Sequence, residues 1–151
     1  MGLRRRSREK ALQIMYSMEF QHSENPDKAM DLYFKYLDLT LPDLEKDKAE
    51  EERNFICYLI HQYFDNKKEV EELINKASIN WRISRIAYIE RNILRLSVSE
   101  LLDKENDVPY KATINEAIDI AKKFCNIESP SFVNGIVNKI ADISDVKSIK
   151  T

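Results

Sequence analysis

The sequence predicts an all-helical domain, and three observations support this prediction. Hydrophobic residues recur at the i, i+3, i+4 spacing of amphipathic helices along nearly the whole chain. The 151 residues include only two glycines and four prolines, whereas all-β folds need many tight turns rich in glycine. The same scarcity excludes the clustered-glycine loops that bind dinucleotides and nucleotide phosphates. We therefore expect six or seven mostly short helices without a nucleotide-binding fold.

Two helices are predicted before the first long loop. Residues 7–22 carry a broad apolar face that includes the aromatic rings of Tyr16 and Phe20. A turn containing a proline interrupts the pattern, because the residue before a proline is disfavoured in helical geometry. A second apolar stripe follows over residues 28–39.

The longest periodic stretch runs over residues 46–77, after a predicted loop at 40–45. A candidate break lies near Asp65, so the stretch is either one long helix or two. Residues 78–83 contain Trp81 and are predicted to connect the two halves of the chain.

The C-terminal half is predicted to contain three helices. Apolar stripes mark the first two, over residues 86–101 and 114–124. Ser129 is predicted to cap the third, with Pro130 as its first residue, because the first turn leaves the missing proline N–H without a partner anyway. The tail after residue 143 is expected to be frayed.

These elements are predicted to form one domain, 1–151, without internal repeats. Its N-terminal helical half covers about 1–78 and its C-terminal helical half about 79–145. Gly135 falls inside the last helix, where alanine would be more favourable by up to ~1 kcal/mol. Either a backbone or ligand approaches closely at this glycine, or the residue is neutral there.

Charge is distributed unevenly along a chain whose formal net charge is only −2. Basic residues concentrate in the first ten positions and acidic residues in positions 43–52. No apolar run is long enough to span a membrane, and no apolar segment follows the N-terminal arginines as in a secretory signal. The two cysteines, Cys57 and Cys125, do not make a disulfide framework. We expect a cytoplasmic protein without a membrane partner.

Candidate catalytic or metal-binding residues are sparse. Cys57 and His61 share a helix face at i, i+4, which is half of a zinc site, but no second paired motif supplies the other ligands. The carboxylate pairs at 51–52 and 71–72 lie in strongly polar stretches, where solvated faces are far more common than acid–base pairs. We therefore predict no enzyme, no metal and no cofactor.

The basic N-terminus is the most informative charged feature. Cations at the start of a helix oppose its macrodipole and cost a few tenths of a kcal/mol each. A locally unfavourable cluster suggests another use, and the common one is binding of nucleic-acid phosphates. A solubilising tail is the alternative. The residues concerned are Arg4, Arg5 and Arg6, which are predicted to precede the first helix, and Arg8 and Lys10, which are predicted on or near its first turn.

A second candidate feature lies where the last two predicted helices meet. Aromatic and basic side chains alternate there in a pattern suited to single-stranded RNA, because rings stack on bases and cations bind phosphates. Phe124 equally fits the core stripe, whereas Phe132 lies one position off its stripe and is expected to be exposed. The set comprises Lys122, Lys123, Phe124, Ser129, Ser131 and Phe132.

Three ordered motifs are more specific than composition. They are RRRSREKALQIMY at 4–16, ERNILRLSVSELL at 90–102, and DVPYKATINEAIDIAKKF at 107–124, the last continued by FVNGIVNK at 132–139. Together they resemble the NusB family of bacterial transcription antitermination factors. Residues 22–78 resemble that family only in helical pattern and length.

The resemblance implies an all-α, NusB-like fold of two small helical bundles packed roughly perpendicular to each other. Family members bind the boxA element of nascent RNA together with NusE, a ribosomal protein of the small subunit. The pair joins RNA polymerase with other Nus factors and suppresses termination, notably on rRNA operons. Homodimers occur in the family, so the resemblance leaves monomer and homodimer open.

By position, the resemblance implies two sets of binding residues. The NusE-facing surface would include Tyr16 and Glu90. The implied RNA contacts are Arg4, Arg5, Arg6, Arg8, Phe124, Glu128, Ser129 and Phe132, and the pattern of cations adds Lys123.

Some positions depart from the family pattern. Cys125 stands where glycine is common, and Glu128 stands where aspartate is common. Pro130 and Ser131 replace polar or basic residues, which removes a cation from beside Phe132. These departures concern the detailed RNA contacts of the turn.

Two other functions are weighed against RNA-dependent antitermination. The same domain type occurs fused to RNA methyltransferases, but 151 residues leave no room for that catalytic domain. The second alternative function is that of a helical protein-interaction module whose RNA-binding surface has been lost. RNA binding that NusE strengthens would discriminate the antitermination factor from both.

Overall fold

The structure is a computed structural model that describes residues 2–37, 46–78 and 86–151, and within these ranges it contains helices and no strand. The all-α prediction is confirmed. The predicted loop at 40–45 and Trp81 lie outside the described residues. The helices are α1 (Leu3–Gln21), α2 (Pro26–Leu32), α3 (Lys46–Asp65), α4 (Lys67–Ala77), α5 (Tyr88–Leu102), α6 (Tyr110–Phe124), α7 (Ser129–Ile143) and α8 (Val146–Ile149).

The described residues contain eight α-helices, one more than the upper predicted number of seven. The long periodic stretch divides at Asn66, whose side-chain amide donates to the backbone oxygen of Gln62 at 2.9 Å. It therefore forms two helices, α3 and α4, which is the second of the two predicted alternatives. The additional element is the short helix α8. A π-helical turn, Tyr33–Leu37, continues α2.

Helix α5 lies at the centre of the fold and packs against α1, α3, α4, α6 and α7. Its Leu94, Val98 and Leu101 are fully buried, and even Glu100 is only 2% exposed. A helix covered on several sides needs apolar residues around most of its circumference. Its polar side chains must then find partners inside the protein, and for Glu100 that partner is Arg8 of α1.

The apolar face predicted for the first helix is narrower in the structure. Ala11, Met15 and Met18 are buried in the core, whereas Tyr16 is 38% exposed and Phe20 is 71% exposed. Residues four apart lie on one side of a helix, so the two aromatic residues form a stripe of their own beside the core stripe. Sequence spacing alone does not separate a core face from such a surface stripe.

The predicted cap of the last long helix is wrong by one residue. Helix α7 begins at Ser129, and Glu128 occupies the N-cap position without a side-chain cap. Pro130 lies in the first turn, as expected. Ser129 is unavailable as a cap because its hydroxyl donates to a carboxylate oxygen of Glu90 on α5.

The prediction of a frayed tail is also wrong. Helix α8 follows α7, and its Val146 is only 1% exposed. The Lys150 ammonium, 6% exposed, donates to backbone oxygens at the end of α5, where carbonyls lack partners within the helix. These oxygens belong to Glu100, Leu101 and Asp103, at 3.0, 3.3 and 3.1 Å from Nζ.

Replacing Gly135 by alanine should raise the free energy of unfolding by about 0.5–1 kcal/mol. A Cβ placed at this exposed, mid-helical position meets nothing within 4 Å, so no close approach within the described part of the chain requires the glycine. Urea denaturation of the wild type and of Gly135→Ala measures the change. A less stable variant would contradict the expectation.

Candidate nucleic-acid interface

The arginine-rich segment belongs to a helix rather than preceding one. Because α1 begins at Leu3, Arg4, Arg5 and Arg6 lie in its first turn, contrary to the sequence prediction. Arg4 is exposed, and its guanidinium lies 5.0 Å from the centre of the Phe55 ring on α3. The arginine-rich segment is therefore a helical part of the protein surface and not an extended tail.

Arg5 forms a triad with two carboxylates of α6. Its Nε donates to Glu116 Oε2 at 2.9 Å, and its Nη2 donates to Glu116 Oε1 at 3.1 Å and to Asp119 Oδ2 at 2.6 Å. The hydrogen bonds from Arg5 to Glu116, with that carboxylate's charge, raise the pKa of the guanidinium. The side chain of Arg5 remains 36% exposed.

Arg8 is bound more deeply than Arg5. Its Nε donates to Glu100 Oε2 at 3.1 Å, and its Nη2 donates to the other oxygen of the same carboxylate. The two side chains are only 11% and 3% exposed. The expectation that these cations lack a structural role is therefore wrong, because it considered only the helix dipole.

Arg6 and Lys10 also share a carboxylate partner. Glu52 of α3 is only 2% exposed, and both Arg6 and Lys10 form ion pairs with it. The distance from Arg6 Nη2 to Glu52 Oε2 is 3.5 Å. Tertiary ion pairs, which the sequence does not reveal, thus compensate the basic first turn.

Lys123 joins the two basic features that the sequence analysis identified separately. Its Nζ lies 3.0 Å from both carboxylate oxygens of Glu9 on α1 and 5.3 Å from the centre of the Phe124 ring. Its side chain is 52% exposed. Together with the Arg5 triad, the ion pair between Lys123 and Glu9 places the start of α1 and the end of α6 on one basic surface. We call this surface the basic ridge, and its cations are Arg4, Arg5, Arg6 and Lys123.

The turn between α6 and α7 presents its residues differently from the prediction. Phe132 was expected to be exposed, yet it is half-buried and packs against the core, as does Phe124. Ser129 is 3% exposed. By contrast, Ile127 is 96% exposed at the tip of the turn. The rings therefore offer only an edge or part of a face to a ligand.

Two adjacent cavities flank Glu90. The first, of about 280 Å³, is lined by Glu90, Asn126, Glu128, Ser129 and Phe132, together with Ile86 and Ala87. The second, of about 260 Å³, is lined by Glu90, Tyr16, Tyr88, Phe124 and Cys125, together with Ala87, Ile89 and Asn126. The residue predicted to face a protein partner thus adjoins the residues predicted to contact RNA.

An exposed aromatic patch borders the second cavity. Tyr16 stacks on Phe20 with ring centres 6.5 Å apart, and it meets Tyr88 edge-on at the same distance. The guanidinium of Arg91 lies 4.4 Å from the centre of the Tyr88 ring. Exposed apolar patches of this kind mark interaction sites. The sequence analysis did not predict Tyr88 as a site residue, and it assigned Phe20 only to the apolar face of the first helix. The signal for Phe20 was its position one helical turn after Tyr16.

Neither cysteine is poised as a nucleophile. Burial, with the nearby Glu90 carboxylate, raises the pKa of Cys125 to about 11. Burial also raises the pKa of Cys57. The thiolate is the reactive form, so both thiols remain protonated at neutral pH.

The Cys57–His61 pair does not assemble a metal centre. His61 instead places Nε2 2.6 Å from Asp27 Oδ1. Over residues 2–37, 46–78 and 86–151, no three His, Cys, Asp or Glu side chains cluster in an arrangement that could hold a metal ion.

None of the helices in those ranges is long and apolar enough to cross a membrane.

The fold and this surface define an all-helical binding protein with a basic ridge on α1 and α6, a turn with two flanking cavities, and an aromatic patch. The sequence profile of the NusB family matches residues 5–142. This chain therefore belongs to the NusB family.

Individual relatives agree over nearly the whole length. The transcription antitermination protein NusB of Geobacter sulfurreducens is 40% identical over 141 residues, covering 93% of this chain and 95% of that protein. The protein of the same name from Bacillus mycoides is 36% identical, with 92% and 97% covered.

Solved structures show the same fold. T. maritima NusB has a TM-score of 0.74 at 30% identity, covering 92% of this chain and 90% of that chain. A crystal structure of the antitermination factors NusB and NusE in complex with dsRNA contains a chain with a TM-score of 0.77 at 24% identity, covering 95% and 98%.

Proposed function

We propose that this chain is a transcription antitermination factor that binds boxA-type single-stranded RNA together with NusE. The pair would join RNA polymerase and other Nus factors, notably on rRNA operons, and would act in the cytoplasm without catalysis. One observation carries the proposal: the basic ridge, the α6–α7 turn and the aromatic patch adjoin one another, linked by Lys123 and Glu90.

The basic ridge supports an RNA site because its outer cations retain exposed surface. Arg4, Arg5 and Lys123 are each exposed in whole or in part, so phosphates can reach them. Phosphate contacts supply most of the affinity for nucleic acids and make it depend on salt. Arg6, whose side chain is 23% exposed, adds a partly accessible cation to this set.

The α6–α7 turn supports contacts with the bases. Phe124 and Phe132 offer partial ring surfaces for stacking, and Glu128 can accept a hydrogen bond from a base amino group. Ser129 is buried, so we propose that it acts on RNA by holding the start of α7 against Glu90. We propose that Arg8 likewise supports RNA binding indirectly, by stabilising the fold through its ion pair with Glu100.

The aromatic patch supports a protein partner rather than RNA alone. Tyr16 and Glu90 border the same cavity, and aromatic residues are enriched at the centres of protein interfaces. In a solved complex of the family, NusB is assembled with NusE and dsRNA, which supports NusE as the partner of this patch. Light scattering of the protein with and without RNA distinguishes a monomer from a homodimer.

The proposal is tested by fluorescence anisotropy of labelled boxA RNA, titrated with the protein alone and with NusE over a series of salt concentrations. If about four phosphates are neutralised, log K should fall against log salt with a slope near −3. NusE should tighten binding to boxA but not to a scrambled RNA. Equal binding of both RNAs, with no gain from NusE, would reject the proposal.

A further inference from the structure

We propose that Glu116 and Asp119 restrain RNA binding by competing with RNA phosphates for Arg5. The inference rests on the proposed function for the identity of the ligand, and on the geometry of the Arg5 triad for its mechanism. Glu116 and Asp119 would be specificity-determining residues that need not touch RNA.

The two carboxylates occupy the edge of Arg5 that a phosphate would use. A guanidinium binds oxyanions through pairs of parallel N–H donors. On Arg5, Glu116 takes the Nε and Nη2 pair in bidentate fashion, and Asp119 takes a further bond from Nη2. Only Nη1 makes none of these three bonds. An RNA phosphate must therefore displace a carboxylate or bind beside two of them.

The charges of the triad oppose RNA. One guanidinium faces two carboxylates, so the three groups together carry an excess negative charge. The opposite ratio occurs at Glu52, where one carboxylate pairs with both Arg6 and Lys10. A single carboxylate is enough to neutralise Arg5, so the second one makes the site repel phosphates.

The triad also lies where RNA can reach it. The side chains of Arg5, Glu116 and Asp119 are 36%, 26% and 42% exposed, unlike the buried Arg8–Glu100 pair. Ion pairs as exposed as these contribute little to folding stability. The carboxylates can therefore exchange with a phosphate without unfolding the helix ends.

The consequence is discrimination between ligands. A polyanion that touches only the basic ridge has to displace the carboxylates and gains little. An RNA that also contacts the α6–α7 turn and the bound partner has other contacts to offset that displacement. Specificity often arises in this way, from a repulsive element that penalises the wrong ligand.

The test compares two variants with the same change in charge. Glu116→Gln/Asp119→Asn removes the two negative charges that face Arg5, whereas Glu69→Gln/Glu72→Gln removes two charges from exposed acids of α4 and serves as the matched control. At low salt, we expect the first variant to bind scrambled RNA about five- to tenfold more tightly than the control. Its salt slope should steepen by about 0.7, which is one additional phosphate contact.

Two further measurements make the mechanism specific. In an Arg5→Ala background, neutralising Glu116 and Asp119 should raise RNA affinity clearly less than in the wild type, because only the direct repulsion between these carboxylates and the phosphates is then removed. On a heparin column, Glu116→Gln/Asp119→Asn should elute at higher salt than the control. Thermal midpoints verify that each variant folds, and the single change Asp119→Asn replaces the double variant if that variant is unstable.

The inference is overturned if the double variant gains no more affinity than the control, if it loses affinity, or if its gain is as large in the Arg5→Ala background as in the wild type. A loss would show that the carboxylates position Arg5 for RNA. If the wild type fails to bind boxA RNA, the proposed function fails on its own. Heparin elution then decides whether the carboxylates restrain Arg5.

Discussion

Replacing Arg8 by methionine should lower the free energy of unfolding by about 3–5 kcal/mol, the usual cost of removing one partner from a buried ion pair. Methionine preserves much of the aliphatic volume but leaves the Glu100 carboxylate without its guanidinium. That carboxylate is 3% exposed, so water cannot replace the lost hydrogen bonds. Urea denaturation of the wild type and the variant measures the loss.

Arg4→Met is the matched control, because Arg4 lies one turn before Arg8 on α1 but is exposed. This variant should change the free energy of unfolding by less than about 0.5 kcal/mol. Equal stabilities of the Arg4 and Arg8 variants would show that the Arg8–Glu100 pair does not support the fold. Arg8 would then return to the set of direct RNA contacts.

Replacing Tyr16 by alanine should weaken binding of NusE by about 10- to 100-fold, the range expected for an aromatic residue at the centre of an interface. Tyr16 contacts both other rings of the aromatic patch, so its loss removes its packing against Phe20 and Tyr88 as well as its own exposed surface. Isothermal titration calorimetry with purified NusE measures the change.

Tyr36→Ala is the control for this prediction, because Tyr36 is 59% exposed and lies in the π-helical turn. It should leave NusE affinity unchanged. A thermal midpoint for Tyr16→Ala near that of the wild type would assign its effect to binding. Undiminished NusE binding by Tyr16→Ala would place the partner elsewhere on the protein.

The sequence was sufficient for the helical fold because helical periodicity is a local property. The candidate break near Asp65 and the apolar stripes of α5 to α7 correspond to observed features for this reason. The predictions of Ser129 as a cap and of a frayed tail were wrong, because each feature depends on a residue that is distant in the sequence. Ser129 binds Glu90, and Lys150 binds the end of α5.

The candidate site shows the same division. The basic ridge was identified from composition, and Tyr16 and Glu90 from resemblance to the family. The sequence did not reveal that Arg5 and Arg8 bind carboxylates more than 90 positions away in the chain. Such pairings follow from packing, so exposure separates the arginines that can meet RNA from those that support the fold.

The Lys150 contact also has a consequence for folding during synthesis. Helix α5 is the centre of the packing, yet the ammonium that binds its last carbonyls comes from a residue about fifty positions later. A nascent chain therefore lacks this contact at the end of its central helix until translation has passed Lys150 and this segment has left the ribosome. Until then, the apolar sides of α5 depend on the helices made earlier, or on a chaperone, for cover.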